Sequence, residues 1–279
     1  MSQTDASGAV CALTQGTVPL LVSMPHIGTQ IPAQLQAGYS ARALQVEDTD
    51  WHLAQLYDFL PSMGASILQP RYSRYVIDLN RPPDDAPMYP GASNTELCPT
   101  RFFTGDTLYL EACAPDTAAR AQRCSDYWQP YHDALAGELQ RIVQVHGYAL
   151  LWDAHSIRSA IPWLFEGTLP ALNIGTASGD SAHASIAQAV MAVCADAGKF
   201  SHVLNGRFKG GYITRYYGRP GQHVHAVQLE MCQNLYMQET PPFAYDASLA
   251  AQVQPTLRAM LQAVLDAGAA LYSGAGHDH

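Results

Sequence analysis

Two histidines, a run of acids and a late glutamate are the residues of this chain best suited to hold a metal and to work a water beside it. His26 stands in Pro25-His26-Ile27-Gly28, His155 in Asp153-Ala154-His155-Ser156, and Glu230 ends an apolar run. One histidine at a strand end means little. Two at equivalent places, with a carboxylate at a third, point to a site, because loops at the carboxyl edge of an open α/β sheet converge on ligands. Imidazole nitrogens and a carboxylate suit a catalytic zinc, which takes three protein ligands and leaves a position for water. The third ligand should be an oxygen, and Glu47-Asp48-Thr49-Asp50 offers three carboxylates. Acids also favour helix starts as caps, an explanation that serves Asp48 better than Asp50. Glu230 is the candidate base, since an unpaired carboxylate closing an apolar strand would be costly and a hydrolase must move the proton of its water.

A second cluster is Arg71-Tyr72-Ser73-Arg74-Tyr75-Val76-Ile77-Asp78-Leu79-Asn80-Arg81. If Tyr75–Leu79 is a strand, Asp78 and Asn80 share a face by alternation and Arg81 lies just past its end. An Asn80-Arg81 pair beside a metal can grip a carboxylate, because a guanidinium is a planar two-pronged donor. Surface ion pairing accounts for Arg71, less readily for Arg74 and Arg81.

The elements that must position these residues follow from a chain of 279 residues with a formal net charge of -9, 48% hydrophobic and 14% charged. That composition excludes bulk disorder, and no basic stripe offers a grip on a nucleic-acid backbone. The six cysteines, Cys11, Cys98, Cys113, Cys124, Cys194 and Cys232, form no C-x-x-C pair; free thiols in a reducing compartment are expected. No apolar stretch approaches the roughly 20 residues of a membrane span, and no secretory start is visible, so the expected address is cytoplasmic. Subunit number is not legible.

Short apolar runs alternate with helical ones. Strands are expected at Val18–Met24, Ala65–Leu68, Tyr75–Leu79, Tyr148–Trp152 and Ala226–Leu229, with weaker candidates around Ala171–Ile174 and His202–Leu204. Runs apolar on both faces suit the middle of a covered sheet. Helices are expected from Asp48 or Thr49 to Leu60, ended by Pro61; over Asp116–Val145, kinked or split at Pro130; and over Ser181–Ala197 and Asp246–Tyr272. Arg81–Thr104, with Pro82, Pro83, Pro87, Pro90, Gly91 and Pro99, is a long loop of the kind that is often functional. One domain spanning 1–279 is expected: an α/β fold with helices on both sides of a sheet, and flexible ends at 1–17 and at 274–279, where His277 and His279 lie.

The strings SMPHIGTQIP, DTDWHLAQLYDFL, RYSRYVIDLNRPP, LLWDAHS, FKGGYITRYYG and VQLEM occur in order between about Pro19 and Tyr236, and together they resemble the N-formylglutamate amidohydrolase family. The resemblance implies a zinc-carboxypeptidase-like three-layer α/β/α fold around a mixed, largely parallel sheet. It also implies hydrolysis of N-formyl-L-glutamate to formate and L-glutamate, the last step of a histidine degradation route. The wider superfamily opens its metal site with His-x-x-Glu, but Thr29 stands three residues after His26. The acidic ligand is therefore expected from the DTDW motif, Asp50 before Asp48, with His26 and His155 completing the set around one divalent ion, zinc first. Glu230 matches the general acid/base. Arg74, Asn80 and Arg81 match the arginine that polarises the carbonyl and the pair that holds a substrate carboxylate; Arg215, after Gly210-Gly211, is the candidate for a second carboxylate. The expected partner is a small carboxylate-bearing substrate, with no nucleic acid and no membrane. A deacylase for another N-acyl amino acid is the rival of the same chemistry; bulky residues such as Trp163 or Tyr216 crowding the metal would favour formyl. A non-catalytic amino-acid-binding protein is the rival of another class.

Overall fold

A computed structural model describes residues 9–88 and 95–273. Seven strands form one sheet: β1 (Cys11–Thr14), β2 (Leu20–Ser23), β3 (Ser66–Pro70), β4 (Ala149–Ile157), β5 (Leu172–Gly175), β6 (His202–Leu204) and β7 (Val224–Cys232). Their order is β1-β3-β2-β4-β7-β5-β6. The central pairs β3–β2, β2–β4 and β4–β7 are parallel, as is β5–β6, whereas β1–β3 and β5–β7 are antiparallel. The mixed, largely parallel α/β expectation holds.

Alternation along the central strands explains both helical layers. Leu20, Val22, Leu150, Trp152, Val227 and Leu229 face one core, where the helices Ala184–Ala197 and Ala247–Ser273 pack. Leu21, Ala149, Leu151 and Ala226 face the other, beneath the helix Gln129–His146. Each fully buried Leu or Val contributes roughly 1.5–3 kcal/mol of transfer free energy. No helix among the described residues is long and apolar enough to cross a membrane. All six cysteines are free, with Cys98, Cys194 and Cys232 buried.

Several local expectations are corrected. Cys11–Thr14 lies in the stretch expected to be a flexible end, yet it is the edge strand beside β3. Residues 1–8 and 274–279, with His277 and His279, and Pro90 and Gly91 of the proline-rich loop, lie outside the described residues. Tyr75–Leu79 is not a strand. Its backbone turns, with Val76 N–H donating to Ser73 O and Asn80 N–H to the Asp78 carboxylate, so no ladder is needed. The helix expected from Asp48 to Leu60 is two single turns, Leu53–Leu56 and Leu60–Met63, parted from the acids by His52 in left-handed geometry at φ 61°. Pro61 does not end a helix; it sits in the first turn of the second one. The stretch over Asp116–Val145 starts as expected, with Asp116 accepting from Ala119 N–H. Before Pro130 it widens into a π-turn at Cys124–Trp128 rather than breaking, a common way to absorb a missing donor.

The helix Gln129–His146 also carries a pH-sensitive contact. His132 donates from Nε2 to Leu79 O at 2.9 Å, accepts at Nδ1 from the Tyr217 hydroxyl at 3.0 Å, and stacks on Trp128 at 3.7 Å. Burial pushes its pKa down to about 4. A lowered folded value means the unfolded chain binds the proton first, so this stability is present above about pH 6.5 and is lost as pH falls toward about 4. Its size is on the order of 3 kcal/mol at most. Urea unfolding between pH 7.5 and 4.5 should show that His132→Gln loses part of the wild-type slope; identical slopes would remove His132 from this role.

Candidate metal and active site

β4 and β7 run further than the apolar runs suggest. Asp153, His155 and Glu230 were expected just past strand ends but lie inside strands, because the β4–β7 pairing continues to Ile157 and Cys232. His155 and Glu230 are register partners, as are Asp153 and Gln228. Alternation turns Asp153, His155, Gln228 and Glu230 away from the Leu229 core and toward one side of the sheet. His26 follows β2 in a turn whose Gly28 presses against the chain; a Cβ there would meet Tyr72 O at 2.1 Å. Asp50, further along the chain, is tied to that turn by its N–H donating to His26 O.

His26, Asp50 and His155 are buried together and could hold a metal ion. His155 Nδ1 lies 3.2 Å from His26 Nδ1 and 3.3 Å from Asp50 Oδ2, and His26 Nδ1 lies 3.8 Å from the same oxygen. Ligands about 2.0–2.1 Å from a tetrahedral zinc would be about 3.3–3.4 Å apart, so the triangle fits. The far nitrogens support it. His26 Nε2 donates to Asp78 Oδ1 at 2.7 Å, and His155 Nε2 lies 3.1 Å from Asp153 Oδ1. The Asp78 carboxylate fixes the His26 tautomer that frees Nδ1 for a metal, and Asp153 places negative charge beside the His155 ring. The two Nδ1 atoms face one another across 3.2 Å, an approach that a cation or a shared proton reconciles. Burial would lower the His155 pKa, but Asp153 and Asp50 raise it well above its usual value, the same demand for positive charge at that point. Asp48 is spent elsewhere: Tyr75 Oη and Phe103 N–H donate to Oδ2, and Arg158 pairs with Oδ1 at 2.7 Å.

Arg74 pairs with Asp78 at 2.7 Å, reaches Asp50 Oδ1 at 3.9 Å, and lies over the Phe103 ring. Burial alone would raise the Asp78 carboxyl; His26, Arg74 and Arg81 hold it well below the carboxylate range. Burial and then Arg74 lower His26. Glu230, also buried, is pushed up to about 8 by burial, with His155 opposing and Asp50 assisting.

These groups open into a cavity of about 270 Å³ lined by His26, Arg74, Asn80, Arg81, Phe103, His155, Leu164, Arg207, Gln228 and Glu230 among others. The pattern of the N-formylglutamate amidohydrolase family matches residues 18–237. An N-formylglutamate deformylase of Pseudomonas putida is 51% identical over 263 residues, covering 94% of this chain and 98% of the relative. A second, from Pseudomonas aeruginosa, is 51% identical over 95% of this chain and 99% of its own length. The chain belongs to the N-formylglutamate amidohydrolase family. The crystal structure of an N-formylglutamate amidohydrolase from Ralstonia eutropha JMP134 superimposes with a TM-score of 0.78 at 23% identity, over 95% of this chain and 99% of that one. A gene product of Agrobacterium tumefaciens gives a TM-score of 0.68 at 20% identity, over 94% and 98%. At those identities the likeness concerns the fold.

In this family member the residues expected from sequence are not all placed alike. His26, Arg74, Asn80, Arg81, His155 and Glu230 line the cavity, and Asp50 completes the triangle behind it. Asn80 is committed to the frame: Nδ2 donates to Asp153 Oδ2 and approaches His155 Nε2 at 2.9 Å, while Oδ1 accepts from Ile213 N–H. Arg215, expected to grip a second carboxylate, is not among the lining residues; its Nε donates to Gly210 O. Trp163 and Tyr216 are exposed and do not crowd the metal triangle. Phe103, Ile157, Leu164 and Phe208 form the apolar walls instead. Sequence reading gave no role to Gln228 or Arg207. Gln228 carried a signal, since it stands two residues before Glu230 in VQLEM and must share its face; the Arg207 loop carried none.

Proposed function

We propose that this protein hydrolyses N-formyl-L-glutamate to formate and L-glutamate, as the names of its 51%-identical relatives describe, and that it does so with a zinc ion held by His26, Asp50 and His155. The observation that carries the reading is the buried triangle of two Nδ1 atoms and a carboxylate oxygen at the wall of the cavity. A divalent cation there would supply Lewis acidity toward a carbonyl and lower the pKa of a water.

The chain's own residues supply the rest. Glu230 takes the proton of the attacking water and later delivers it to the leaving amine. Its surroundings favour proton holding, and the charge of a bound cation favours the ionised form needed at the start. Arg74, fixed by Asp78 and the Phe103 ring, directs positive charge at the oxygen that becomes negative as water adds to the formyl carbon. Arg81 has no acidic partner within ion-pair distance among the described residues. Thr95 O and Thr95 Oγ1 accept from its Nε and Nη2 at 2.9 and 2.6 Å, and Asn80 O accepts from Nη1. The remaining guanidinium protons are set to bind a substrate carboxylate. Asn80 acts through His155 and the Gly211 turn rather than on substrate. The apolar walls and small volume favour a formyl group over larger acyl groups.

Side-by-side kinetics on N-formyl-, N-acetyl- and N-formimino-glutamate, with and without a chelator, test the reading. Expected are a preference of at least about 100-fold in kcat/KM for the formyl substrate, and loss of turnover on chelation restored by zinc. A preference for the acetyl substrate would favour the deacylase alternative, and turnover untouched by complete metal removal would overturn the metal assignment.

A further inference from the structure

Gln228 is buried to 3% exposure and lines the cavity, yet its side chain makes a single hydrogen bond among the described residues. Gly211 N–H donates to Oε1 at 2.7 Å. That bond fixes which end of the amide is oxygen, and so leaves the NH2 group without an acceptor. The nitrogen is not sealed in, for the fully occluded orphan atoms among the described residues are Trp51 Nε1, Arg123 Nε, Asp153 Oδ1 and Asn173 Oδ1. The residual opening of Gln228 is therefore toward the cavity. A buried donor left unpaired is costly, and such a group in a binding cavity is one that a ligand satisfies.

The surroundings hold this donor in place. Gly211 abuts Asn80 so closely that a Cβ would lie 2.4 Å from Asn80 Nδ2. The carboxamide is thus clamped to the backbone turn that also frames His155. Gln228 and Glu230 project from the same face of β7, two residues apart, which separates them by about 6.7 Å along the strand. In an extended N-acyl glutamate the side-chain carboxylate carbon is five bonds from the acyl carbon, on the order of 6 Å away, while the α-carboxylate carbon is three bonds away at roughly 3.8 Å. With Glu230 at the scissile carbon, the spacing matches the distal carboxylate.

From this placement we infer that Gln228 is a substrate-binding residue, its Nε2 donating to the side-chain carboxylate of the N-acyl amino acid and so selecting a three-carbon acidic side chain, while Arg81 takes the α-carboxylate. The inference rests on the hydrolase reading above and assigns the second contact to Gln228 rather than to Arg215. A neutral donor serves here because Arg74, Arg81 and Arg207 already line the cavity with positive charge.

Gln228→Glu isolates the contact: it keeps an oxygen for Gly211 N–H and replaces the two donors by an anionic acceptor. Gln228→Met removes the donors without adding charge. Wild type and both variants are compared on N-formylglutamate and on N-formylnorvaline, which lacks the distal carboxylate, with bound metal measured in each. The ratio of kcat/KM for the acidic over the apolar substrate should fall about 10- to 100-fold in Gln228→Met, carried by KM, and further in Gln228→Glu. Equal losses on both substrates, or an unchanged ratio in Gln228→Met, would overturn the assignment while leaving the hydrolase reading intact. A wild type inactive on every N-formyl amino acid would overturn the hydrolase reading and this inference with it. Should Gln228→Glu not fold, Gln228→Met decides alone.

Discussion

Glu230→Gln is expected to fold, keep its metal and lose about 10²- to 10⁴-fold in kcat, the range general acid–base groups supply. The substitution is nearly isosteric at a buried position whose register partner is His155, so packing should survive. An amide can neither take the proton of water nor return it to the amine. Burial that pushes the Glu230 carboxyl up to about 8 makes it an effective proton donor in the second half of the reaction, which the variant also forfeits. Elemental analysis should find metal at the wild-type level while steady-state turnover collapses. Turnover within tenfold of wild type would remove Glu230 from the proton-transfer role.

His155→Ala should cost the site its metal. Two of the three short edges of the ligand triangle, 3.2 Å to His26 Nδ1 and 3.3 Å to Asp50 Oδ2, involve this one ring. Its loss leaves a two-ligand site and takes the imidazole away from beside the Asp153 carboxylate. The drop in zinc affinity should exceed the 10- to 100-fold that losing an outer partner of a ligand costs, read by competition with a chromophoric chelator. Asp48→Asn is the contrast: Asp48 serves Tyr75, Phe103 and Arg158, so this variant should lose stability and retain metal. Full occupancy in His155→Ala would dissolve the ligand assignment.

The candidate ligands and the central strands were legible for a common reason. Buried parallel strands read as unbroken apolar runs, and polar residues that interrupt such runs must be satisfied by something specific. The same rule misplaced the strand ends, since Asp153, His155 and Glu230 looked like the start of loops while β4 and β7 carry them within the ladder. Asp48 and Asp50 sit in one short motif and differ only in what they touch: Asp50 meets the two imidazoles, whereas Asp48 serves Tyr75, Phe103 and Arg158. Tyr75–Leu79 misled by composition: a β-branched and aromatic run folded as turns because Asp78 bonds its own backbone. Arg207, given no role from sequence, lines the cavity, whereas Arg215 lies in the helix Tyr212–Tyr217 with its Nε turned back to Gly210 O; no periodicity governs the loop that carries Arg207, so spacing there says little about direction.

Asp78 meets three groups at once: the His26 ring, the Arg74 guanidinium and the Asn80 N–H. One carboxylate thereby sets the bearing of a candidate ligand, of the cation proposed to face the reacting oxygen, and of the turn leading to Arg81. Drift at any of these positions is transmitted to the others through a single anchor. Lineages can retune the acyl pocket through its apolar walls, but the reaction centre can only change as a block.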